Sequence, residues 1–143
     1  RVLKAKNYQV KVLHGADSRR NLVAFEKLRE IGVDFLPATD DGSAGFKGLV
    51  TDLLATKLKA SQIDYIYTCG PDAMMKTVAA YANANQIPGQ VSLEEHMACG
   101  VGACLGCARQ LKSSDREMVK ICKDGPVFDI QAVEFSVQGE VSR

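Results

Sequence analysis

Four of the five cysteines of this 143-residue chain lie in its C-terminal part, and their spacing is typical of a cluster site. They are Cys99, Cys104, Cys107 and Cys122. Four residues separate the first from the second, two the second from the third, and fourteen the third from the fourth. The two short gaps match plant-type [2Fe–2S] spacing, in which three close thiolates join a distant fourth. These cysteines are therefore predicted to hold a [2Fe–2S] cluster that transfers electrons.

Glycines are interleaved with the first three cysteines, at Gly100, Gly102 and Gly106. A loop wrapped around a cluster must aim several backbone N–H groups at sulfur, and glycine permits the backbone angles this requires. Hydrogen bonds of this kind help to set the reduction potential. The glycines thus indicate the same chemistry as the cysteines.

The composition is that of an ordinary globular chain with no charge bias. Eighteen basic and 17 acidic residues give a formal net charge of +1, which does not indicate nucleic acid or an anionic membrane surface as a partner. No apolar run is long enough to cross a bilayer. The segment from Arg1 to Lys6 lacks the apolar stretch of a secretory signal. A reducing, cytoplasmic setting is expected.

Disulfides, unrelated free thiols and a structural zinc site are the other interpretations of these cysteines. In a reducing compartment clustered cysteines hold metals more often than they form disulfides. Unrelated free thiols would not explain the spacing together with the glycines. Structural zinc sites usually use two short cysteine pairs, whereas here three cysteines share one segment with a single remote partner. A zinc-binding interaction module remains the alternative, and metal analysis would distinguish it.

Upstream of the cysteines the sequence alternates predicted strands and helices. Strands are predicted over residues 8–13, 33–36 and 63–68, and helices over 18–31, 49–58 and from Pro71 onward. Gly32 is a predicted helix stop. The fold class is α/β: a partial doubly wound parallel sheet followed by a small, loop-rich [2Fe–2S] domain. The predicted domains are residues 1–89 for a dinucleotide and 90–143 for the cluster.

Three loops leave the carboxyl edge of the predicted sheet, at residues 14–19, 39–45 and 68–71, where ligands bind in such folds. The third leads into a helix N-terminus, which suits a phosphate or a polarised ring. The alternative is that these are surface turns, and that Cys69 is a small core residue. No glycine-rich phosphate loop precedes Tyr8. We therefore expect the chain to be a piece of a larger protein, with the first strand and glycine loop missing.

Two segments resemble the electron-transfer subunit of class 1B dihydroorotate dehydrogenase: residues 92–107, SLEEHMACGVGACLGC, and residues 119–128, VKICKDGPVF. Residues 38–43, 47–54 and 67–72 are similar to the nicotinamide domain of the same family. The Cys-Gly-Pro element at Cys69 is shared across the ferredoxin–NADP reductase superfamily. The resemblance covers the chain from about Tyr8 to Val133.

The resemblance implies an electron relay in pyrimidine biosynthesis. Electrons leave dihydroorotate at the FMN of a separate catalytic subunit, pass through the [2Fe–2S] cluster to FAD, and reach NAD+ as hydride. The flavin barrel that precedes the nicotinamide domain in this family is missing here. FAD and NAD therefore belong to the full-length protein, and the chain alone is expected to be inactive.

The resemblance also implies roles for individual residues. The four clustered cysteines would be the ligands, and no residue is expected to act as an acid–base catalyst. Beside the nicotinamide and flavin it places Thr68, Cys69, Gly70 and Pro71. Nearer the rest of the dinucleotide it places Asp17, Ser18, Arg19, Thr39, Asp40 and Asp41. NAD versus NADP stays open, because Arg19 and Arg20 would attract a 2′-phosphate whereas Asp17 would repel one.

Another flavin-linked NAD(P) reductase or hydrogenase subunit is the nearer alternative. In the ferredoxin:NADP type an acidic residue can replace the first cysteine, so Cys99 argues against that type. Basic residues near the cysteines form a solvated face or steer a partner subunit. These are Lys112, Arg116, Lys120 and Lys123.

Overall fold

The computed structural model describes residues 1–58, 62–112 and 118–135. The chain divides into two compact units, Arg1–Lys59 and Ala60–Arg143. The boundary predicted between residues 89 and 90 separates a dinucleotide domain from a cluster domain, and it stays a prediction. None of the described helices is both long and apolar enough to span a membrane.

The first unit is built on three parallel strands. Its elements follow in the order α1 (Val2–Ala5), β1 (Lys11–Ala16), a 3-10 helix (Arg19–Asn21), α2 (Phe25–Ile31), β2 (Asp34–Thr39), β3 (Phe46–Lys47) and α3 (Val50–Lys57). The strand order is β1-β2-β3. Lys11 lies opposite Asp34 and Ala16 opposite Thr39, so the carboxyl ends of β1 and β2 meet at one edge.

Helix α3 covers the sheet through Leu53 and Leu54, which are buried. A Cβ on Gly15 in β1 would lie 3.0 Å from the Cβ of Val50, so the strand and the helix approach closely there. Ala38 at the end of β2 is fully buried. The core of the first unit therefore lies near the carboxyl ends of β1 and β2, where the loops that follow these strands begin.

The helix predicted over residues 18–31 begins later than expected. The chain makes one 3-10 turn, leaves helical geometry, and resumes at Phe25 after Ala24 takes the left-handed conformation. The side-chain amide of Asn21 donates to Asp17 at 2.7 Å, a local bond that competes with helix formation. The predicted stop at Gly32 is confirmed, because Gly32 closes α2 with φ 70°.

The second unit contains β4 (Ile66–Cys69), α4 (Asp72–Ala84), β5 (Gly89–Ser92), β6 (Ala108–Gln110), β7 (Met118–Lys120), α5 (Ile121–Asp124) and β8 (Val127–Asp129). Strands β4 and β5 are parallel and joined by α4, and β8 pairs antiparallel with β5. Strands β6 and β7 form a separate antiparallel pair. The large side chains buried most deeply in the second unit are Met75, Val91, Leu93, Ile121, Ile130 and Val133.

The predicted α/β class with parallel strands joined by helices is confirmed. Each of the three predicted strands is present, displaced toward the C-terminus. They do not share one sheet as predicted, because the third, β4, pairs with β5 in a separate sheet. The short antiparallel strand β8 was not predicted. It pairs with β5, and Leu93, just beyond β5, donates its N–H to the carbonyl of Pro126 at 2.9 Å. The segment that follows Cys122 is therefore tied to the strand that precedes the cysteine loop.

Candidate metal centre

The pairing of β6 with β7 brings the remote cysteine to the other three. Cys99 and Cys104 lie in the loop of residues 93–107, and Cys107 closes this loop just before β6. Ala108 lies opposite Lys120 in the β6–β7 pair. The N–H of Ile121 then donates to the carbonyl of Cys107 at 3.1 Å. Cys122, the next residue, is thereby held beside Cys107.

The four sulfurs are arranged as two pairs. Cys104 Sγ lies 3.3 Å from Cys99 Sγ. The thiols of Cys122 and Cys107 are hydrogen-bonded partners, and Cys99 is close enough to Cys122 for the two charges to interact. Cys107 is the deepest, at 2% exposure, and the other three are half-buried. Pairwise interactions therefore link all four predicted ligands.

Backbone N–H groups surround Cys99. Hydrogen bonds from the N–H groups of Cys104 and Val101, with further bonds from the Cys104 side chain and the Ala103 N–H, lower the pKa of Cys99 to about 6. The N–H of Cys104 lies 3.4 Å from the sulfur. At neutral pH Cys99 is thus mainly thiolate, the form that binds iron.

The environment of Cys122 is different. A hydrogen bond with Cys107, desolvation, and the negative charges of Cys107 and Cys99 raise the pKa of Cys122. The N–H of Gly102 opposes this shift by donating to Cys122. Gathering several thiolates in one place is costly without a cation to neutralise them. The repulsion at Cys122 is what a bound metal centre would relieve.

Two of the three glycines have the backbone role expected of them. Gly100 has φ 67° and Gly102 has φ 78°, in the left-handed region that favours glycine. Gly106 has no such φ, and it contributes by donating its N–H to Cys104 Sγ at 3.4 Å. The loop therefore aims N–H groups at Cys99, Cys104 and Cys122.

The donor set fits a [2Fe–2S] cluster. Each iron of such a cluster takes two protein sulfurs, and the sulfurs here meet as Cys99 with Cys104 and Cys107 with Cys122. Thiolate ligands and inward N–H donors are the surroundings that cluster sulfurs require. Within residues 1–58, 62–112 and 118–135, no group of three or more His, Cys, Asp or Glu side chains is placed so that it could hold a metal ion.

An ionic group that was not predicted closes the base of the cysteine loop. Arg109 in β6 donates Nε to Glu95 at 2.8 Å and Nη2 to both Glu95 and Asp72, the latter at 2.9 Å. Burial disfavours the charge of Arg109, but the two carboxylates outweigh it and raise the pKa of the guanidinium. Arg109 thus links Glu95, near the start of the loop, to Asp72, the first residue of α4.

The Thr68–Pro71 turn lies next to this ionic group. Pro71 precedes α4, which begins at Asp72, and Gly70 has φ 148°. Cys69 is exposed, with its Sγ 3.8 Å from Oε1 of Glu94. The turn predicted to face a nicotinamide and the start of the cysteine loop are therefore in contact within the second unit.

The predicted dinucleotide residues of the first unit are partly gathered. Ser18, Arg19 and Asp41 line an open depression of about 330 Å³, together with Arg20 and Ser43. The N–H of Arg19 donates to Ser43 Oγ at 2.8 Å. Hydrogen bonds from the side chain and backbone of Ser43 lower the pKa of Asp41.

The other three predicted residues are placed differently. Thr39 is fully buried, and its hydroxyl is used by the backbone of Ala44, donating at 2.8 Å and accepting at 3.0 Å. Asp40 is exposed, and the carboxylate of Asp17 accepts from Asn21. Of the four basic residues expected near the cysteines, Arg116 lies outside the described residues. Lys120 is half-buried against the loop, with its Nζ 2.7 Å from the Gly102 carbonyl oxygen.

Residues 94–134 match the family described as the iron–sulfur cluster binding domain of dihydroorotate dehydrogenase B. The cysteine segment is therefore similar to that domain family over these residues. The matched range begins at Glu94, which contacts Cys69, and includes all four clustered cysteines. The predicted resemblance to class 1B electron-transfer subunits is confirmed.

Full-length relatives agree with the domain match. The chain is 42% identical over 123 residues to a protein of Methanocaldococcus jannaschii named probable dihydroorotate dehydrogenase B (NAD(+)), electron transfer subunit, covering 84% of this chain and 44% of that protein. It is 40% identical over 121 residues to the electron transfer subunit of Desulforamulus reducens, covering 84% of this chain and 46% of that protein. The chain thus spans about half the length of these curated relatives.

A solved structure shares the fold. It is a chain from the structure of an NADH-dependent reduced ferredoxin–NADP oxidoreductase, studied for flavin-based electron bifurcation. The identity is 31% and the TM-score 0.72, covering 93% of this chain and 47% of that chain. The likeness covers most of the chain and supports the α/β assignment.

Proposed function

We propose that this chain works within an electron-transfer subunit that relays electrons from dihydroorotate oxidation through a [2Fe–2S] cluster and FAD to NAD+. The observation that carries the proposal is the convergence of Cys99, Cys104, Cys107 and Cys122 as two thiol pairs inside a loop lined with N–H donors. The names of the curated relatives supply the reaction. Pyrimidine biosynthesis is the proposed context.

The residues of the loop would hold and tune the cluster. Cys99 is deprotonated readily because N–H groups surround it, so it would be the first thiolate available to iron. Cys107, buried at the end of the loop, would shield the centre from solvent. When bound, a [2Fe–2S] cluster accepts and releases one electron at a time. This chain contributes position, N–H donors and partial exclusion of water.

The proposal extends to a dinucleotide. Thr68, Cys69, Gly70 and Pro71 would face the nicotinamide, since they precede a helix N-terminus and Cys69 and Pro71 are exposed. Asp17, Ser18 and Arg19, with Thr39, Asp40 and Asp41, would lie along the rest of NAD. FAD would be a cofactor of the whole protein, since the chain spans about half the length of these curated relatives. The partner would be a catalytic subunit carrying FMN, and the chain alone would be inactive.

A cytoplasmic location is part of the same proposal. The five cysteines are free thiols in this structure. Four of them must stay reduced to bind iron, and a reducing compartment keeps thiols in that state.

A second candidate is electron transfer in a ferredoxin–NADP oxidoreductase. The observation that favours it is the solved structure, which is 31% identical over 93% of this chain. Cys99 is present as the first ligand of the set, which argues for the first candidate. Both candidates use the same cysteine loop and differ in the electron donor.

The donor can be tested with the full-length subunit assembled with its partner. Anaerobic addition of dihydroorotate should bleach the visible cluster absorption, and NADH should form when NAD+ is added. A Cys107→Ser variant should lose both responses, whereas Lys76→Ala on the exposed face of α4 should keep them. If reduced ferredoxin or NADPH bleaches the cluster and dihydroorotate does not, the second candidate is correct and the first is wrong.

A further inference from the structure

Lys120 is the last residue of β7, and its side chain reaches into the cysteine loop. Its Nζ donates to the carbonyl oxygen of Gly102 at 2.7 Å, and the lysine is half-buried. The backbone of Lys120 is fixed by pairing opposite Ala108 and by its own N–H, which donates to Asp124 at 2.8 Å. The ammonium group is therefore held in place rather than free in solvent.

The carbonyl that Lys120 binds belongs to a peptide group turned toward sulfur. The other end of the Gly102–Ala103 peptide is the N–H of Ala103, which donates to Cys99. The N–H of Gly102 itself donates to Cys122. A cation on the carbonyl oxygen polarises the peptide and strengthens the bond that its N–H makes. One peptide group thus connects the Lys120 ammonium, bound at its carbonyl oxygen, with Cys99, whose pKa its N–H lowers.

We propose that Lys120 is a positioning residue that raises the reduction potential of the cluster through the Gly102–Ala103 peptide. The inference rests on the proposed function, because it requires a cluster on Cys99 and its partners. Reduction adds one negative charge to the cluster, and N–H donors to its sulfurs favour that state. Polarising one of these donors favours the reduced cluster further.

Lys123 provides a matched control. Lys123 follows Cys122 directly, and its side chain also lies against Gly102. A Cβ added to Gly102 would lie 2.9 Å from Lys123 Cδ. Among the described residues its Nζ makes no hydrogen bond. Lys123 therefore shares the charge and the location of Lys120 but not the bond to the peptide. Comparing the two lysines separates peptide polarisation from simple nearness of charge.

The test uses the full-length subunit with its cluster, in wild-type form and as Lys120→Met, Lys120→Arg and Lys123→Met. The cluster potential is measured by anaerobic redox titration followed by electron paramagnetic resonance, with iron and sulfide counted on each sample. We expect Lys120→Met to lower the reduction equilibrium constant by about three- to tenfold, or about 28–59 mV at 59 mV per tenfold for one electron. Lys120→Arg keeps a cationic donor, so its reduction potential should stay close to that of the wild-type subunit.

A second readout is the coupling of exchangeable deuterons to the reduced cluster after exchange into D₂O. One of the deuteron couplings should weaken in Lys120→Met and not in Lys123→Met, since only the first variant changes an N–H···S bond. If Lys120→Met does not retain the cluster, Lys120→Gln replaces it in the test. Glutamine keeps a neutral donor, so we expect a smaller decrease in the reduction potential than the one expected for methionine.

Equal shifts in Lys120→Met and Lys123→Met would overturn the inference, because charge alone would then account for the effect. An unchanged potential in every Lys120 variant that retains a full cluster would also overturn it, with the proposed function intact. A wild-type subunit that holds no iron and sulfide would overturn the proposed function and this inference together.

Discussion

Arg109 is expected to contribute strongly to the stability of the second unit, and its replacement by methionine tests this. The guanidinium is 13% exposed and bridges Glu95, at 25% exposure, and Asp72, at 38%. Breaking a fully buried ion pair by removing one partner costs about 3–5 kcal/mol. The two carboxylates here retain part of their hydration, so we expect about 2 kcal/mol for Arg109→Met. The methionine preserves most of the side-chain volume, so the loss is electrostatic.

Arg109→Lys refines the expectation. It keeps the positive charge but not the planar fork that reaches two carboxylates at once, so we expect a loss of about 1 kcal/mol. The matched control is Lys76→Met, on the exposed face of α4 in the same unit, where a surface change is expected to stay within about 0.5 kcal/mol. The ordering of the three variants is what the geometry requires.

The assay is urea unfolding of the chain followed by far-ultraviolet circular dichroism, at matched iron content. The free energy of unfolding comes from linear extrapolation, and a constant slope shows that the variants unfold alike. A loss in Arg109→Met no larger than that in Lys76→Met would refute the reasoning, since the ion pairs would then be effectively solvated. Equal losses in the lysine and methionine variants would show that the fork geometry contributes nothing.

Two further predictions follow from backbone and thiol geometry. Gly45→Ala should largely unfold the first unit, because a Cβ at this position would collide with the Pro37 carbonyl. Gly32 also has a positive φ but has open space around it, so Gly32→Ala should lower the free energy of unfolding by only about 1–2 kcal/mol. Equal thermal denaturation midpoints for the two variants would contradict this prediction. In the metal-free chain, Cys99 should be alkylated by iodoacetamide with a rate that falls as pH drops through about 6, since its lowered pKa keeps it thiolate above that value. Cys122, with its raised pKa, should need alkaline pH, and peptide mapping that finds both thiols equally reactive at pH 7 would contradict the assignment.

The cysteine site could be predicted from the sequence because three of its ligands are local. Cys99, Cys104 and Cys107 lie in one loop, so their spacing alone indicates a shared centre. The strands and helices around Cys69 were predictable for a similar reason, since a period-2 strand and a proline-led helix are local patterns. The cysteine spacing and the strand and helix patterns are each contained within about ten consecutive residues.

Features that depend on tertiary pairing could not be predicted in the same way. The ionic group of Arg109, Glu95 and Asp72 depends on where β6 lies relative to α4, which no local pattern specifies. The same holds for the contact between Lys120 and Gly102, which the β6–β7 pairing creates. From the sequence, Lys120 is predicted only as one of several basic residues that form a solvated face or steer a partner subunit.

The start of the helix predicted over residues 18–31 was wrong because of local interactions. The bond from the Asn21 side chain to Asp17 competes with helix formation, and Ala24 adopts the left-handed conformation. Leu22 satisfied the helical apolar pattern, yet it is buried from an extended conformation rather than from a helix face. A periodic apolar residue can therefore belong to a core without belonging to the helix whose period it fits.

The central claim is the cluster on the four converging cysteines. It is tested most directly by the visible spectrum of the anaerobically purified chain, with iron and acid-labile sulfide counted on the same sample. We expect broad absorption that bleaches with dithionite at about two irons and two sulfides per chain. Cys122→Ser should greatly reduce this content, while Cys69→Ser should leave it unchanged. A colourless chain that holds one zinc, or equal loss in the two variants, would contradict the account.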